Sequence, residues 1–170
     1  LEQWVLTDHC RVVALLGMGG IGKTTLSVKL AQQVAPHFEF VFWRSLRNAP
    51  PLRETVADCI QTLSEQQYTS PPQNVEKSIV VLIELLRKHR CLLVLDNMET
   101  LLEAGSLEGR YHQEYADYHL LIQRVAETTH QSCLLLTSRE MLNELEPLVG
   151  VQSPVRTFKV FGLGRAASQR

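Results

Sequence analysis

Gly17-Met18-Gly19-Gly20-Ile21-Gly22-Lys23-Thr24 is the stretch of this sequence that decides the fold. It matches the phosphate-binding pattern G-x-x-x-x-G-K-[ST] at every defined position. An apolar run ends at Leu16, and apolar residues at helical spacing follow Lys23. The stretch therefore lies between a predicted strand and a predicted helix, which is the context in which this pattern binds phosphate.

Each residue type in the loop has a physical reason. Glycines adopt positive φ and leave no side chain between the backbone and a ligand, so loop amides and the helix N-terminus can converge on phosphates. Lys23 can reach the β- and γ-phosphates, and the Thr24 hydroxyl can coordinate Mg²⁺. We therefore predict that the chain binds ATP or ADP with Mg²⁺. The predicted nucleotide-binding residues are Gly17, Gly19, Gly20, Ile21, Gly22, Lys23, Thr24 and Thr25.

The same glycines also fit the dinucleotide pattern G-x-G-x-x-G, which would indicate an oxidoreductase. That pattern needs an acidic residue about 20 positions later, at the end of the second strand, to bind the ribose. The second predicted strand ends in Arg44-Ser45-Leu46, and its one acid, Glu39, stands at its start. The dinucleotide pattern also does not require Lys23-Thr24, so the triphosphate interpretation is favoured.

Two polar residues follow later apolar runs. Asp96 comes directly after Leu92–Leu95, where P-loop enzymes place an acid that holds Mg²⁺. Arg139 follows another run and would face the crevice at the carboxyl ends of the strands, where a guanidinium can sense the γ-phosphate. Alternatively, Arg139 is a surface residue that opens the next helix. We predict Lys23, Asp96 and Arg139 as catalytic residues and Thr24 and Asp96 as metal ligands.

Short apolar runs alternate with longer amphipathic stretches, a pattern typical of an α/β domain with a parallel sheet. Residues 1–170 are predicted to form one domain, a three-layer P-loop NTPase fold whose five-stranded parallel sheet is flanked by helices. Asn74 can cap one of these helices and Pro36 can end another. The predicted strands are 11–16, 38–46, 91–95, 132–137 and 155–161, and the predicted helices are 23–35, 52–67, 74–86, 98–103 and 115–129.

Composition excludes several classes of function. The formal net charge is −1, which gives no electrostatic case for nucleic acid or an anionic membrane surface. No apolar run approaches the roughly 18 residues of a membrane span. The four cysteines lack the spacing of a metal or redox pair, and we interpret them as buried thiols of a cytoplasmic protein. The six histidines show no zinc spacing and are interpreted as surface residues.

Four motifs together resemble the NB-ARC nucleotide-binding module of STAND-class signalling ATPases. This class includes plant disease-resistance proteins, apoptosis scaffolds and large bacterial regulators that often carry WD-type or TPR-type repeats. The sequences of the motifs are most similar to those of the bacterial members, and the resemblance covers essentially the whole chain. The motifs are Gly17 to Leu26, Phe42-Trp43-Arg44-Ser45-Leu46, Leu93-Val94-Leu95-Asp96-Asn97 and Leu135-Leu136-Thr137-Ser138-Arg139.

The resemblance implies that Asp96 is the acid of the second motif and that Arg139 senses the γ-phosphate. It implies that the strand before Arg139 lies between the P-loop strand and the Asp96 strand. Val160-Phe161-Gly162-Leu163 resembles the segment that ends the core before a helical lid. The implied partners are the nucleotide and the protein's own lid, winged-helix and repeat domains, together with nucleotide-dependent assembly of identical subunits on activation.

The chain also departs from the family pattern. A second acid often follows the position of Asp96, and here the residue is Asn97, which weakens the case for a general base there. Glu99 could orient the attacking water instead, although a helix-surface position is the interpretation that we favour. The Gly-x-Pro segment of the lid, the winged-helix histidine and the family's entry segment are missing. With Leu1 at the start and a helix-like 166–170 at the end, we expect a fragment of a longer protein.

Three functions fit these residues. The first is a regulatory switch in which ADP holds a closed state and exchange for ATP permits assembly, with slow Mg²⁺-dependent hydrolysis. The second is a continuously cycling P-loop ATPase of the motor or loader type. The third is a binding module that no longer hydrolyses. The resemblance and Asn97 favour the switch.

Overall fold

The computed structural model describes residues 1–67, 72–103 and 110–162 of the chain. Its elements follow the predicted alternation of strands and helices, and a few short 3₁₀ helices join them. The helices are α1 (Glu2–Leu6), α2 (Lys23–Val34), α3 (Leu52–Leu63), α4 (Val75–Lys88) and α5 (Asp117–Glu127). The strands are β1 (Val12–Leu16), β2 (Phe40–Ser45), β3 (Cys91–Asp96), β4 (Cys133–Ser138) and β5 (Val155–Lys159).

The five strands form one parallel sheet in the order β2-β3-β4-β1-β5. The strand β4, which precedes Arg139, therefore lies between the P-loop strand β1 and the Asp96 strand β3, as the resemblance implied. Every residue of β1, β3 and β4 is buried, whereas the edge strands β2 and β5 have exposed positions. Continuous burial explains why the central strands appear in the sequence as unbroken apolar runs.

The sheet separates two apolar clusters, so the domain has three layers. One face of the sheet packs against α3, α4 and α5, and the other face packs against α1 and α2. Neighbouring residues of a strand point to opposite faces, so Ala14 joins the first cluster and Leu15 the second. The predicted fold class is confirmed.

The structure differs from the prediction mainly at the ends of elements. The helix α1 was not predicted, because five residues carry little periodic signal. The predicted helix 52–67 ends at Leu63, and the predicted helix 98–103 is a 3₁₀ helix over Met98–Leu101. Asn74 caps α4 as predicted, since its side chain accepts a hydrogen bond from the Lys77 amide at 3.0 Å.

The cysteines and histidines have the predicted surroundings. All four cysteines are buried and free, and burial raises the pKa of the Cys91 thiol to about 12. Each of the six histidines is exposed or half-buried. No described helix is long and apolar enough to cross a membrane. Residues 104–109, between the predicted helices 98–103 and 115–129, lie outside the described residues, as do Leu163 and the helix-like 166–170.

Candidate nucleotide-binding site

The P-loop connects the end of β1 to the start of α2. Gly20 and Gly22 have φ values of 75° and 100°, a region that L-residues with a side chain rarely adopt. Gly22 is the N-cap of α2, so the loop passes directly into the helix N-terminus. This geometry directs loop amides and the positive end of the helix dipole toward one point, which is how P-loops bind phosphate.

Lys23 is the first residue of α2, and its side chain folds back over the loop. Its ammonium group donates hydrogen bonds to the backbone oxygens of Gly17 at 2.7 Å and Met18 at 3.1 Å. Its Nζ atom also lies 3.8 Å from Oε1 of Glu99. Lys23 is only 6% exposed, so its charge is stabilised by these three oxygens. A phosphate that binds in the loop would compete for this ammonium group.

Asp96 is the last residue of β3 and is 2% exposed. Its buried carboxylate accepts hydrogen bonds from two hydroxyl groups. The Thr24 hydroxyl lies 2.9 Å from Oδ1 and 3.1 Å from Oδ2, and the Thr137 hydroxyl donates to Oδ1 at 2.7 Å. Thr137 also accepts a hydrogen bond from the Asn97 amide at 2.8 Å. The structure thus brings together the two predicted metal ligands, Thr24 and Asp96, which lie 72 positions apart in the chain.

Glu99 lies inside the crevice, so the interpretation of Glu99 as a helix-surface residue is wrong. Its side chain is only 13% exposed. Asn97 has a left-handed backbone conformation with φ of 78°, and the 3₁₀ helix Met98–Leu101 that follows directs Glu99 toward the crevice. Oε1 lies 3.3 Å from Nε of Arg139 and 3.8 Å from Nζ of Lys23. Oε2 is buried and has no hydrogen-bond partner among the described residues.

Arg139 follows the last residue of β4 at the carboxyl end of the sheet. Its side chain is 59% exposed, and its guanidinium group lies against Gly19. A Cβ atom at Gly19 would come within 2.8 Å of Nη2 of Arg139. The alternative of a surface arginine that opens the next helix is therefore right about exposure but wrong about the helix, because residues 139–145 contain only bends, turns and irregular backbone.

The site is an open crevice of about 480 Å³, within the range of volumes of ligand pockets. Two of the predicted binding residues do not line it. Gly17 packs against the backbone of Val160, and the Ile21 side chain lies between Gly17 and Gly162. The predicted residues that line the crevice are Gly19, Gly20, Gly22, Lys23, Thr24, Thr25 and Arg139.

Several residues of this crevice were not predicted from the sequence. Arg47, Asn97 and Thr100 line it without having been predicted as binding residues, and Thr137 both lines it and holds Asp96 in place. Thr137 belongs to the motif Leu135-Leu136-Thr137-Ser138-Arg139, so its hydroxyl was a usable signal. Arg47 had no such signal, because the loop after β2 contains no recognisable binding pattern.

The residues present fit a nucleoside triphosphate with Mg²⁺. Among the described residues, three cations line the crevice, namely Lys23, Arg47 and Arg139, and they suit a triphosphate because it is a polyanion. The Thr24 hydroxyl and the Asp96 carboxylate offer the hard oxygen ligands that Mg²⁺ prefers. An ideal Cβ atom at Gly20 or Gly22 would have no neighbour within 4 Å, so this side of the loop is open to a ligand.

Fold and site together define a P-loop NTPase domain. The chain belongs to the NACHT domain family, whose model matches residues 11–167. The NB-ARC resemblance had led to the same kind of P-loop domain.

Similar proteins agree with this assignment. The chain is 46% identical over 171 residues to an uncharacterized WD repeat-containing protein of Nostoc sp. (strain PCC 7120). The matched region covers 96% of this chain and 14% of that protein. It is 31% identical over 96 residues to Disease resistance protein RPM1 of Arabidopsis thaliana, covering 52% of this chain and 10% of that protein. The fold matches a chain in the structure of Drosophila ORC bound to DNA, with a TM-score of 0.64 and 16% identity over 98% of this chain and 43% of that chain.

Proposed function

We propose that this chain is the nucleotide-binding switch of a signalling protein, which binds ATP and ADP with Mg²⁺ and hydrolyses ATP slowly. The observation that carries the proposal is the pairing of the Thr24 hydroxyl with the Asp96 carboxylate at 2.9 Å, beside the P-loop. A helix N-terminus alone would accept many anions, whereas a hydroxyl and a buried acid next to it are suited to a metal–triphosphate complex.

The roles of the residues follow from their positions. The P-loop amides and Lys23 bind the phosphates, and Thr24 and Asp96 hold the metal ion. Mg²⁺ supplies positive charge that neutralises the phosphates when it is bound. Thr137 positions Asp96 through its 2.7 Å hydrogen bond, and Arg139 contacts the γ-phosphate.

Glu99 is the acid that would orient the attacking water, because it is the carboxylate within the crevice whose Oε2 is buried without a partner among the described residues. In this structure its other oxygen, Oε1, is near both Arg139 and Lys23. Glu99 must exchange these cations for a water before it can act as a base. This arrangement supports slow turnover, and therefore a switch over a continuously cycling ATPase.

The wider setting is also part of the proposal. The chain spans 14% of the Nostoc protein that it resembles, whose description includes WD repeats. We propose that residues 1–170 form one domain of a longer cytoplasmic protein, next to lid, winged-helix and repeat domains. In that protein, ATP would permit the assembly of identical subunits. A net charge of −1 offers nucleic acid no general attraction, so the proposal includes no nucleic-acid partner.

Calorimetry of Mg²⁺–ATP and Mg²⁺–ADP binding to the full-length protein tests the proposal. We expect Lys23→Ala to weaken both affinities by about tenfold or more, because a charge-assisted contact to phosphate is lost. Lys29→Ala, which removes an exposed lysine from the same helix α2, is the matched control and should leave both affinities unchanged. Equal affinities for the unmodified protein and Lys23→Ala would refute the assignment of the loop.

Steady-state turnover separates the switch from its alternatives. A switch should release phosphate slowly and co-purify with ADP, and Glu99→Gln should abolish its remaining turnover while nucleotide still binds. Rapid turnover without an activating ligand would instead indicate the cycling ATPase. A complete lack of hydrolysis in the unmodified protein, at normal nucleotide affinity, would indicate a binding module.

A further inference from the structure

Arg47 is the third cation of the crevice, and it lies across from the P-loop. It belongs to the loop that follows β2, and β2 is the neighbour of the Asp96 strand β3 in the sheet. The P-loop, by contrast, follows β1, on the other side of β3 and β4. Arg47 therefore approaches a bound triphosphate from the side of Asp96.

The backbone beside Arg47 is anchored to the segment that carries the acids. The Leu46 amide donates to the backbone oxygen of Asp96 at 2.8 Å, and the Thr100 hydroxyl donates to the Leu46 oxygen at 2.6 Å. The Ala49 amide also donates to the Leu46 oxygen at 2.8 Å and closes the turn, with Ala49 at φ of 43°. Leu46 itself is fully buried. The position of Arg47 is thus set by the same residues that position Asp96 and Glu99.

The Arg47 side chain differs from the other two cations in its partners. The Lys23 ammonium is bound to two backbone oxygens, and Arg139 is paired with Glu99. Arg47 is exposed, and within the described parts of the chain it makes no hydrogen bond or ion pair. An unpaired guanidinium on the wall of an anion-binding crevice can contact phosphate without first breaking an internal ion pair.

We propose that Arg47 contacts the terminal phosphate of bound ATP and thereby increases the preference of the site for ATP over ADP. This inference rests on the proposed function, because it assumes that the crevice binds both nucleotides. The P-loop amides hold phosphates that both nucleotides share, whereas Arg47, on the Asp96 side of the crevice, adds a contact to the terminal phosphate beside those proposed for Lys23 and Arg139. Arg47 consequently stabilises the triphosphate complex and adds little to the diphosphate complex.

The test compares the affinities of full-length protein variants for Mg²⁺–ADP and for a non-hydrolysable Mg²⁺–ATP analogue. Arg47→Ala should weaken analogue binding by about tenfold, equivalent to about 1.4 kcal/mol, and leave ADP binding unchanged. Arg47→Lys should retain part of the preference, because a point charge cannot form the bidentate contact of arginine. Arg124→Ala, which removes an exposed arginine of α5, should change neither affinity.

The outcomes distinguish the inference from the proposed function. If Arg47→Ala changes neither affinity, Arg47 does not contact the terminal phosphate, and the inference is wrong although the proposed function stands. If Arg47→Ala weakens both nucleotides equally, the residue is a general anion contact, and the inference is wrong. If the unmodified protein binds neither nucleotide, the proposed function fails and the inference fails with it.

Discussion

At the scale of single residues, two glycines of the same loop are required for different reasons. A Cβ atom at Gly17 would lie 2.7 Å from the backbone oxygen of Val160, which cannot move without shifting the chain after β5. A Cβ atom at Gly19 would instead meet the far end of the flexible Arg139 side chain. The pattern G-x-x-x-x-G-K-[ST] explains Gly17 by phosphate binding, whereas in the structure Gly17 is also a packing residue.

Replacing each glycine with alanine should lower the stability of the domain by different amounts, because the two Cβ atoms meet different neighbours. Gly17→Ala should lower the free energy of unfolding by about 2 kcal/mol, the typical cost of overpacking against rigid atoms. Gly19→Ala should cost less than about 1 kcal/mol, because Arg139 can move and because alanine lowers the entropy of the unfolded chain. Urea titration followed by circular dichroism measures both values. A larger loss for Gly19→Ala than for Gly17→Ala would contradict this interpretation.

At the scale of elements, a buried carboxylate ties three segments together. Glu144 follows β4, and its side chain is fully buried. It accepts a hydrogen bond from the Tyr111 hydroxyl and lies 3.4 Å from Nδ1 of His119 on α5. Burial raises the pKa of Glu144 above its usual value of 4.5, although the contacts with Tyr111 and His119 oppose this shift. Ionisation of Glu144 therefore costs free energy in the folded state that it does not cost in the unfolded state.

The pH dependence of stability tests this cost. Below about pH 4.5, Glu144 is protonated in both the folded and the unfolded state, so it adds no pH dependence. As the pH rises from there to the raised folded pKa, the folded state retains the proton longer, and stability falls. Glu144→Gln lacks this loss, so its stability relative to the unmodified chain should increase across that window. The control is Glu146→Gln, an exposed neighbour whose urea midpoints should follow those of the unmodified chain. If the difference in stability between Glu144→Gln and the unmodified chain stayed constant across the pH range, burial would not be raising the pKa of Glu144.

At the scale of the whole molecule, one sheet connects two cores. The larger cluster lies under α3, α4 and α5, and the smaller one lies under α1 and α2. Both clusters take alternate side chains from the same central strands, so neither core can open without exposing the other face of the sheet. The crevice at the carboxyl end of the sheet thus depends on both layers.

Truncations in either layer should therefore destabilise the whole domain as one unit. Leu15→Ala in the smaller cluster and Leu86→Ala in the larger one should each cost about 2 to 5 kcal/mol, because both side chains are fully buried. Val80→Ala, at a position on α4 that is 61% exposed, should change stability by less than about 0.5 kcal/mol. Tryptophan fluorescence and circular dichroism should report one shared transition in every variant. Two separate transitions would show that the layers unfold independently.

The sequence alone determined the class of fold, the phosphate-binding loop, the predicted pair Thr24 and Asp96, and the cap at Asn74. These features are local, because they depend on periodicity, on glycine and capping chemistry, and on residues that directly follow apolar runs. The position of β4 between β1 and β3 was implied by the family resemblance and not by these local patterns.

The tertiary structure alone decided which side chains surround the triphosphate site. Glu99 belongs to the crevice because Asn97 adopts a left-handed conformation, and Arg47 belongs to it because β2 lies beside β3. Thr137 holds Asp96, and the chain after β5 restricts Gly17 to glycine. Apart from the local turn at Asn97, these facts depend on contacts between residues far apart in the chain, and such contacts leave no periodic pattern in the sequence.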